Sequence, residues 1–89
     1  MITYRYIVTG RVQGVGFRYF AKRAAEAFDI RGSVGNRSDG AVEIVAEGSP
    51  ENLRSFREQI EIGPGSSRVD RIIAEQLPEG GHPDRFIIL

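Results

Sequence analysis

The residues best suited to chemistry gather in one short stretch, Gly10-Arg11-Val12-Gln13-Gly14-Val15-Gly16-Phe17-Arg18. Glycine costs backbone entropy and packs nothing, so a loop this rich in it serves best where the backbone itself must be presented. Glycines at 14 and 16 admit positive φ and let a ligand come close to the main chain. Successive N–H groups can then converge at a helix start, where unpaired donors and the dipole favour an anion. Arg18 stands at that start, and its guanidinium can fork onto an oxyanion. Two readings remain open from the loop alone: an anion cradle, or a tight strand-to-helix turn whose glycines serve geometry. The nucleotide P-loop is excluded, because no Gly-Lys-Ser/Thr follows, and so is the dinucleotide fingerprint, which needs a third glycine further on.

A second stretch, Gly32-Ser33-Val34-Gly35-Asn36-Arg37-Ser38-Asp39-Gly40, carries Asn36 near a strand end. Asn favours turns. Its amide also accepts and donates at once, which suits the orientation of a water. Both readings stand on these residues alone.

The elements that must position these groups follow from periodicity. Residues 2–9 alternate, with Tyr4, Tyr6 and Val8 on one face, and predict a strand. Phe17, Phe20, Ala21, Ala24, Ala27 and Phe28 fall at helical spacing and predict an amphipathic helix over 17–28. Residues 33–36 and 41–47 flank Arg37-Ser38-Asp39-Gly40, a hairpin signal, with Val42, Ile44 and Ala46 on one face. Ser49-Pro50-Glu51 reads as an N-cap, an N1 proline and an acid that suits the dipole. Leu53, Phe56 and Ile60 form the stripe of a second helix, which Ile62-Gly63-Pro64-Gly65 ends. Residues 69–77 predict a strand whose irregular apolar spacing suggests a bulge. Residues 78–84 form a loop, with His82 solvated in it, and 85–89 a short last strand. The order β-α-β-β-α-β predicts an α+β, ferredoxin-like sandwich: an antiparallel sheet with two helices on one face. Such a fold decides no function by itself.

Composition narrows the classes. The chain of 89 residues reads as one domain over 1–89. It has no Cys and one His, so it offers no disulfide framework, thiolate or histidine metal cluster. No metal site and no cofactor are expected. Twelve basic residues balance twelve acidic ones, which argues against non-specific nucleic-acid binding. No apolar run is long enough to span a membrane, and the first residues lack a secretion signal. A cytoplasmic monomer with a small-molecule partner, and neither nucleic acid nor membrane, is the expectation. Arg11, Lys22 and Arg23 are expected to add positive potential near the cradle.

The two stretches together, GRVQGVGFR and GSVGNRSDGAVEIVAEG, resemble the two signatures of the acylphosphatases. Gly63-Pro64-Gly65 with Ser67 and Val69 resembles the glycine-proline loop of that family, and the likeness covers essentially the whole chain. It implies hydrolysis of acyl phosphates, the mixed anhydrides of a carboxylic acid and phosphate, without a metal. It assigns Gln13, Gly14, Val15, Gly16, Phe17 and Arg18 to the phosphate cradle. Arg18 matches the essential arginine, and Asn36 the asparagine that orients the attacking water. Two positions depart from the family: Ser33, where an aromatic residue is usual, and Gly35, where a longer side chain is. The first removes apolar packing, and the second loosens the strand that carries Asn36.

The chemistry agrees with what the sequence lacks. Phosphoryl transfer is mostly positioning and charge stabilisation. A carboxylate leaves readily, its acid having a pKa of about 4, so no placed general acid is required. A phosphate oxygen of the substrate can take the water's proton. Two other readings stand beside this one. One is a domain that binds an acyl phosphate or phosphate without turning it over. The other is an RNA-binding βαββαβ module, since Gln13–Phe20 faintly resembles an RNP1 octamer. That octamer's basic residue and stacking aromatic are absent at Gln13 and Val15, and it belongs on a third strand.

Overall fold

The computed structural model describes residues 1–81 and 83–89; the expectation for His82 lies outside them. Seven elements follow in chain order: β1 (Ile2–Arg11), α1 (Phe17–Ala27), β2 (Arg31–Asn36), β3 (Val42–Gly48), α2 (Pro50–Ile62), β4 (Arg68–Leu77) and β5 (Phe86–Ile88). They form one five-stranded sheet in the order β4-β1-β3-β2-β5. β1, β2, β3 and β4 pair antiparallel, as the expected sandwich requires. The terminal β5 adds to β2 in parallel and makes the sheet mixed.

Strand alternation sets the core. Tyr6 and Val8 of β1, Val34 of β2, and Val42, Ile44 and Ala46 of β3 lie on one face and are buried. The register pairs Tyr6 with Ile44, Val8 with Val42, and Ile44 with Val34. Against this face pack Phe17, Ala21, Ala24 and Ala25 of α1, and Leu53, Phe56 and Ile60 of α2. Both helices thus cover the same side of the sheet. In α1 the buried set follows i, i+4, i+7, i+8, so Ala25 joins the core while Ala27 is exposed.

The local signals act as the sequence suggests. The Ser49 hydroxyl accepts from the Asn52 backbone N–H at 3.1 Å, with Pro50 and Glu51 in the first turn and Gly63 at the C-cap. The expected irregularity in the fourth strand is real. Thr9 pairs with Arg71 but Gly10 with Val69, which leaves Asp70 as the extra residue of a bulge.

On the helix-free face, Thr3, Glu47 and Arg31 stand in one cross-strand row. Glu47 is 3 % exposed. Its carboxylate accepts from the Thr3 hydroxyl at 2.7 Å, the Arg31 guanidinium at 3.0 Å and the Gly80 backbone N–H at 3.2 Å. A buried carboxylate needs such partners, and these three join three segments of the chain.

Candidate active site

The loop between β1 and α1 folds as a nest. Gly14 has φ 73° and Gly16 φ 79°, both in the left-handed region that other residues enter at a cost. A Cβ at either position would meet open space, so the glycines answer to backbone conformation and not to crowding. Gly16 is the N-cap of α1. No side chain caps the helix, and its first turn holds no acid. The first helical bond runs from the Phe20 N–H to the Gly16 carbonyl at 3.0 Å, so the N–H groups before it lack intrahelical partners. The result is a positive helix end with presented donors.

These donors border a cleft of about 270 Å³ lined by Val12, Gly14, Gly16, Phe17, Arg18, Tyr19, Asn36 and Ile88. Residues far apart in the chain meet here because β1 and β2 both flank β3, which puts the end of β1 beside the end of β2. Arg18 is half-buried, and its guanidinium donates to the Leu89 carbonyl at 3.2 Å. That contact with the last residue was not legible in the sequence. It holds the guanidinium over the cleft and leaves further N–H groups of the fork for a ligand. Asn36 is the last residue of β2 and is exposed toward the same cleft.

Gly14, Gly16, Phe17, Arg18 and Asn36 therefore come together. Gln13 and Val15 do not line the cleft with them. The Gln13 amide donates to the carbonyls of Arg37 at 2.8 Å and Ala41 at 2.9 Å. Val15 packs partly against the core, and its carbonyl accepts from the Ser66 hydroxyl at 3.3 Å. Only their main chains remain for the cradle. Phe17 is 1 % exposed and cannot stack on a base. Tyr19 and Ile88, which sequence reasoning missed, complete the rim. Tyr19 follows Arg18 on the wet side of α1 and is 63 % exposed, so no core pattern marked it.

The β2–β3 hairpin beside Asn36 is tied by charge. Arg37 pairs with Glu43 at 2.9 Å and with Asp39 at 3.2 Å. These bonds, that to Glu43 foremost, hold the Arg37 pKa above its ordinary value. Asp39 accepts from the Ala41 N–H at 3.0 Å, and that bond holds its carboxyl below the usual carboxylate range. Ser33 and Gly35 line a small cavity of about 250 Å³ on the far side of Asn36, with Arg37, Glu43 and Leu89. Gly35 keeps its place opposite Glu43 in the β2–β3 ladder.

The expected steering charges are only partly available. Arg11 is exposed at the end of β1. Lys22 pairs with Glu26 at 3.0 Å, and Arg23 lines a separate groove with Phe28 and Gln59. A larger cavity of about 450 Å³ lies at the other end of α1, lined by Glu26, Asp29 and Asp84 among others. Arg31, Arg85 and the N-cap Ser49 of α2 line it too, so it carries both signs of charge, and no residue of the two glycine-rich stretches, 10–18 and 32–40, lines it. Among the described residues no three His, Cys, Asp or Glu side chains are grouped to hold a metal ion.

The sequence model of the acylphosphatase family matches residues 4–88. The chain belongs to the acylphosphatase family. The acylphosphatase of Bacillus subtilis is 48 % identical over all of this chain and 98 % of its own length. A crystal structure of acylphosphatase from Bacillus subtilis superposes with a TM-score of 0.95 at 47 % identity, covering 100 % of this chain and 99 % of that one. An acylphosphatase structure from Coxiella burnetii follows at 0.92 and 30 % identity, over 99 % and 92 % of the two chains. The activity is thus that of an acylphosphatase, a hydrolase. The ferredoxin-like fold expected from the element order is the fold of these structures.

Proposed function

We propose that the cleft hydrolyses the carboxyl-phosphate bond of a small acyl phosphate by direct attack of water on phosphorus, without a metal. The observation that carries this reading is the meeting of an uncapped helix start, the Arg18 guanidinium and the Asn36 amide around one cleft. The backbone N–H groups of residues 13–18 and Arg18 hold the three phosphoryl oxygens. They stabilise the charge that those oxygens carry in the transition state. The Asn36 side-chain oxygen accepts a hydrogen bond from the attacking water, and so fixes the attack direction. The new P–O bond forms as the bond to the acyl oxygen breaks. The carboxylate leaves with the bonding pair, and the water's proton passes to a phosphoryl oxygen. No general acid enters, because the leaving group's conjugate acid has a pKa of about 4. A cytoplasmic monomer, folded as one domain over 1–89, completes the proposal.

Hydrolysis in ¹⁸O-labelled water tests the direction of attack. The label should appear in phosphate. Label in the carboxylate would mean attack at the carbonyl carbon, and the cradle would then hold a leaving group. The non-hydrolysing reading predicts no label in either product above the uncatalysed rate, with inorganic phosphate still bound in a separate titration.

A further inference from the structure

Asn36 can orient a water only if its position relative to the cradle is fixed, and the two lie on different segments. Among the described residues no protein group bonds the Asn36 side chain, so its placement comes from its backbone. That backbone ends a ladder. Asn36 pairs with Val42, and the Arg37 N–H donates to the Ala41 carbonyl at 2.8 Å just beyond. Both carbonyls at this point, those of Arg37 and Ala41, accept from one side-chain nitrogen, Gln13 Nε2, at 2.8 and 2.9 Å. Two carbonyl partners require that the amide present its NH₂ group there, one hydrogen to each. Gln13 immediately precedes Gly14, the first glycine of the nest. One amide thus joins the cradle to the residue next to Asn36, across 24 positions of sequence.

We propose that Gln13 is a positioning residue: its side-chain amide clamps the β2–β3 hairpin to the phosphate loop and so sets Asn36 against the bound phosphoryl group. The proposal rests on the reading of Asn36 as the water-orienting residue. It gives Gln13 a task for its side chain beyond the main-chain donor that the sequence resemblance assigns. The effect of such a clamp falls on turnover. The cradle's own N–H groups and Arg18 hold phosphate without it, whereas a shift of the attacking water by an ångström costs up to about a hundredfold in rate.

The test is a double-mutant cycle on acyl phosphate hydrolysis, with Gln13→Met, which keeps length and loses both donors. Gln13→Glu, which places a carboxylate against two carbonyl oxygens, serves as the second variant should the first fail to fold. Each is made in the wild type and in Asn36→Ala. In the wild type, kcat should fall roughly tenfold to a hundredfold, with inhibition by inorganic phosphate changed less than about twofold. In Asn36→Ala the same change should cost nothing further, because the clamp has no water-orienting amide left to place. Hydrogen exchange at the Arg37 amide should quicken in Gln13→Met. An equal loss of kcat in both backgrounds would overturn the proposal, since it would show a general effect on folding or on the cradle. So would an unchanged kcat, or a loss confined to phosphate affinity. A wild type without turnover would show itself before any variant is compared, and would remove the reading on which the clamp depends.

Discussion

At the scale of the residue, holding the phosphoryl group and turning it over fall to different side chains in the proposed mechanism. In that mechanism Arg18 bonds the phosphoryl group in the ground state and the transition state alike. Arg18→Ala should therefore raise KM and lower kcat together, with kcat down on the order of 10²–10³, the loss typical of one oxyanion donor. Arg18→Lys should recover little, because a point charge cannot reproduce a fork that bonds Leu89 and a ligand at once. Steady-state kinetics with one acyl phosphate checks both. An effect on KM alone would make Arg18 a binding residue. Asp39 gives a prediction in pH. Its folded pKa lies below the ordinary 3.8 because the Ala41 N–H bonds the carboxylate. Its contribution to stability is thus present above the unfolded value and is lost as pH falls through the folded one. The Ala41 amide shift, followed by NMR, should titrate with a midpoint under 3.8. A midpoint at or above that value would mean the bond does not favour the charged form.

At the scale of the element, much was legible because local chemistry and tertiary packing agree. Ser49-Pro50-Glu51 opens α2, and Asp39-Gly40 turns the hairpin, as those residue types dictate. What escaped the sequence has a physical reason in each case. The reach from Gln13 to Arg37 and Ala41 is long-range and leaves no periodic trace. The Arg18–Leu89 bond depends on β5 lying parallel beside β2, and a three-residue strand has no pattern from which to read a partner. In α1 the expected stripe holds at Phe17, Ala21 and Ala24, but Ala25 is buried where Ala27 is expected, because alanine's small side chain gives no strong signal of which face it takes. The cap is testable on its own. Ser49→Ala should cost about 1 kcal/mol, a fall in Tm of about 4–8 °C, with activity kept, since α2 brings no residue to the cleft. An unchanged Tm would show that the first turn of α2 finds another partner.

At the scale of the molecule, the helices bury one sheet face and Glu47 fastens the other. Phe56, fully buried beside Tyr6 and Phe86, anchors α2 to the sheet. Phe56→Ala should cost about 3–5 kcal/mol, the price of a large cavity in a small core. Glu47→Ala should cost roughly 1–3 kcal/mol, because the Thr3 hydroxyl and the Gly80 N–H lose a buried acceptor. Urea unfolding checks both as shifts of the midpoint at constant m-value. A near-zero change for Glu47→Ala would mean that water replaces the carboxylate. The larger plan joins these layers. The sheet order sets the end of β1 beside the end of β2, so the glycine nest and a side-chain amide from separate signatures share one cleft.

The central claim is that this cleft breaks an acyl phosphate with only the main chain, Arg18 and Asn36. Phosphate release from benzoyl phosphate in the presence of EDTA, by the wild type, Arg18→Ala and Asn36→Ala, tests it most directly. The account predicts full turnover with EDTA and loss in both variants, with inorganic phosphate still inhibiting Asn36→Ala as it does the wild type. Turnover that EDTA abolishes, or that Asn36→Ala leaves undiminished, would contradict it.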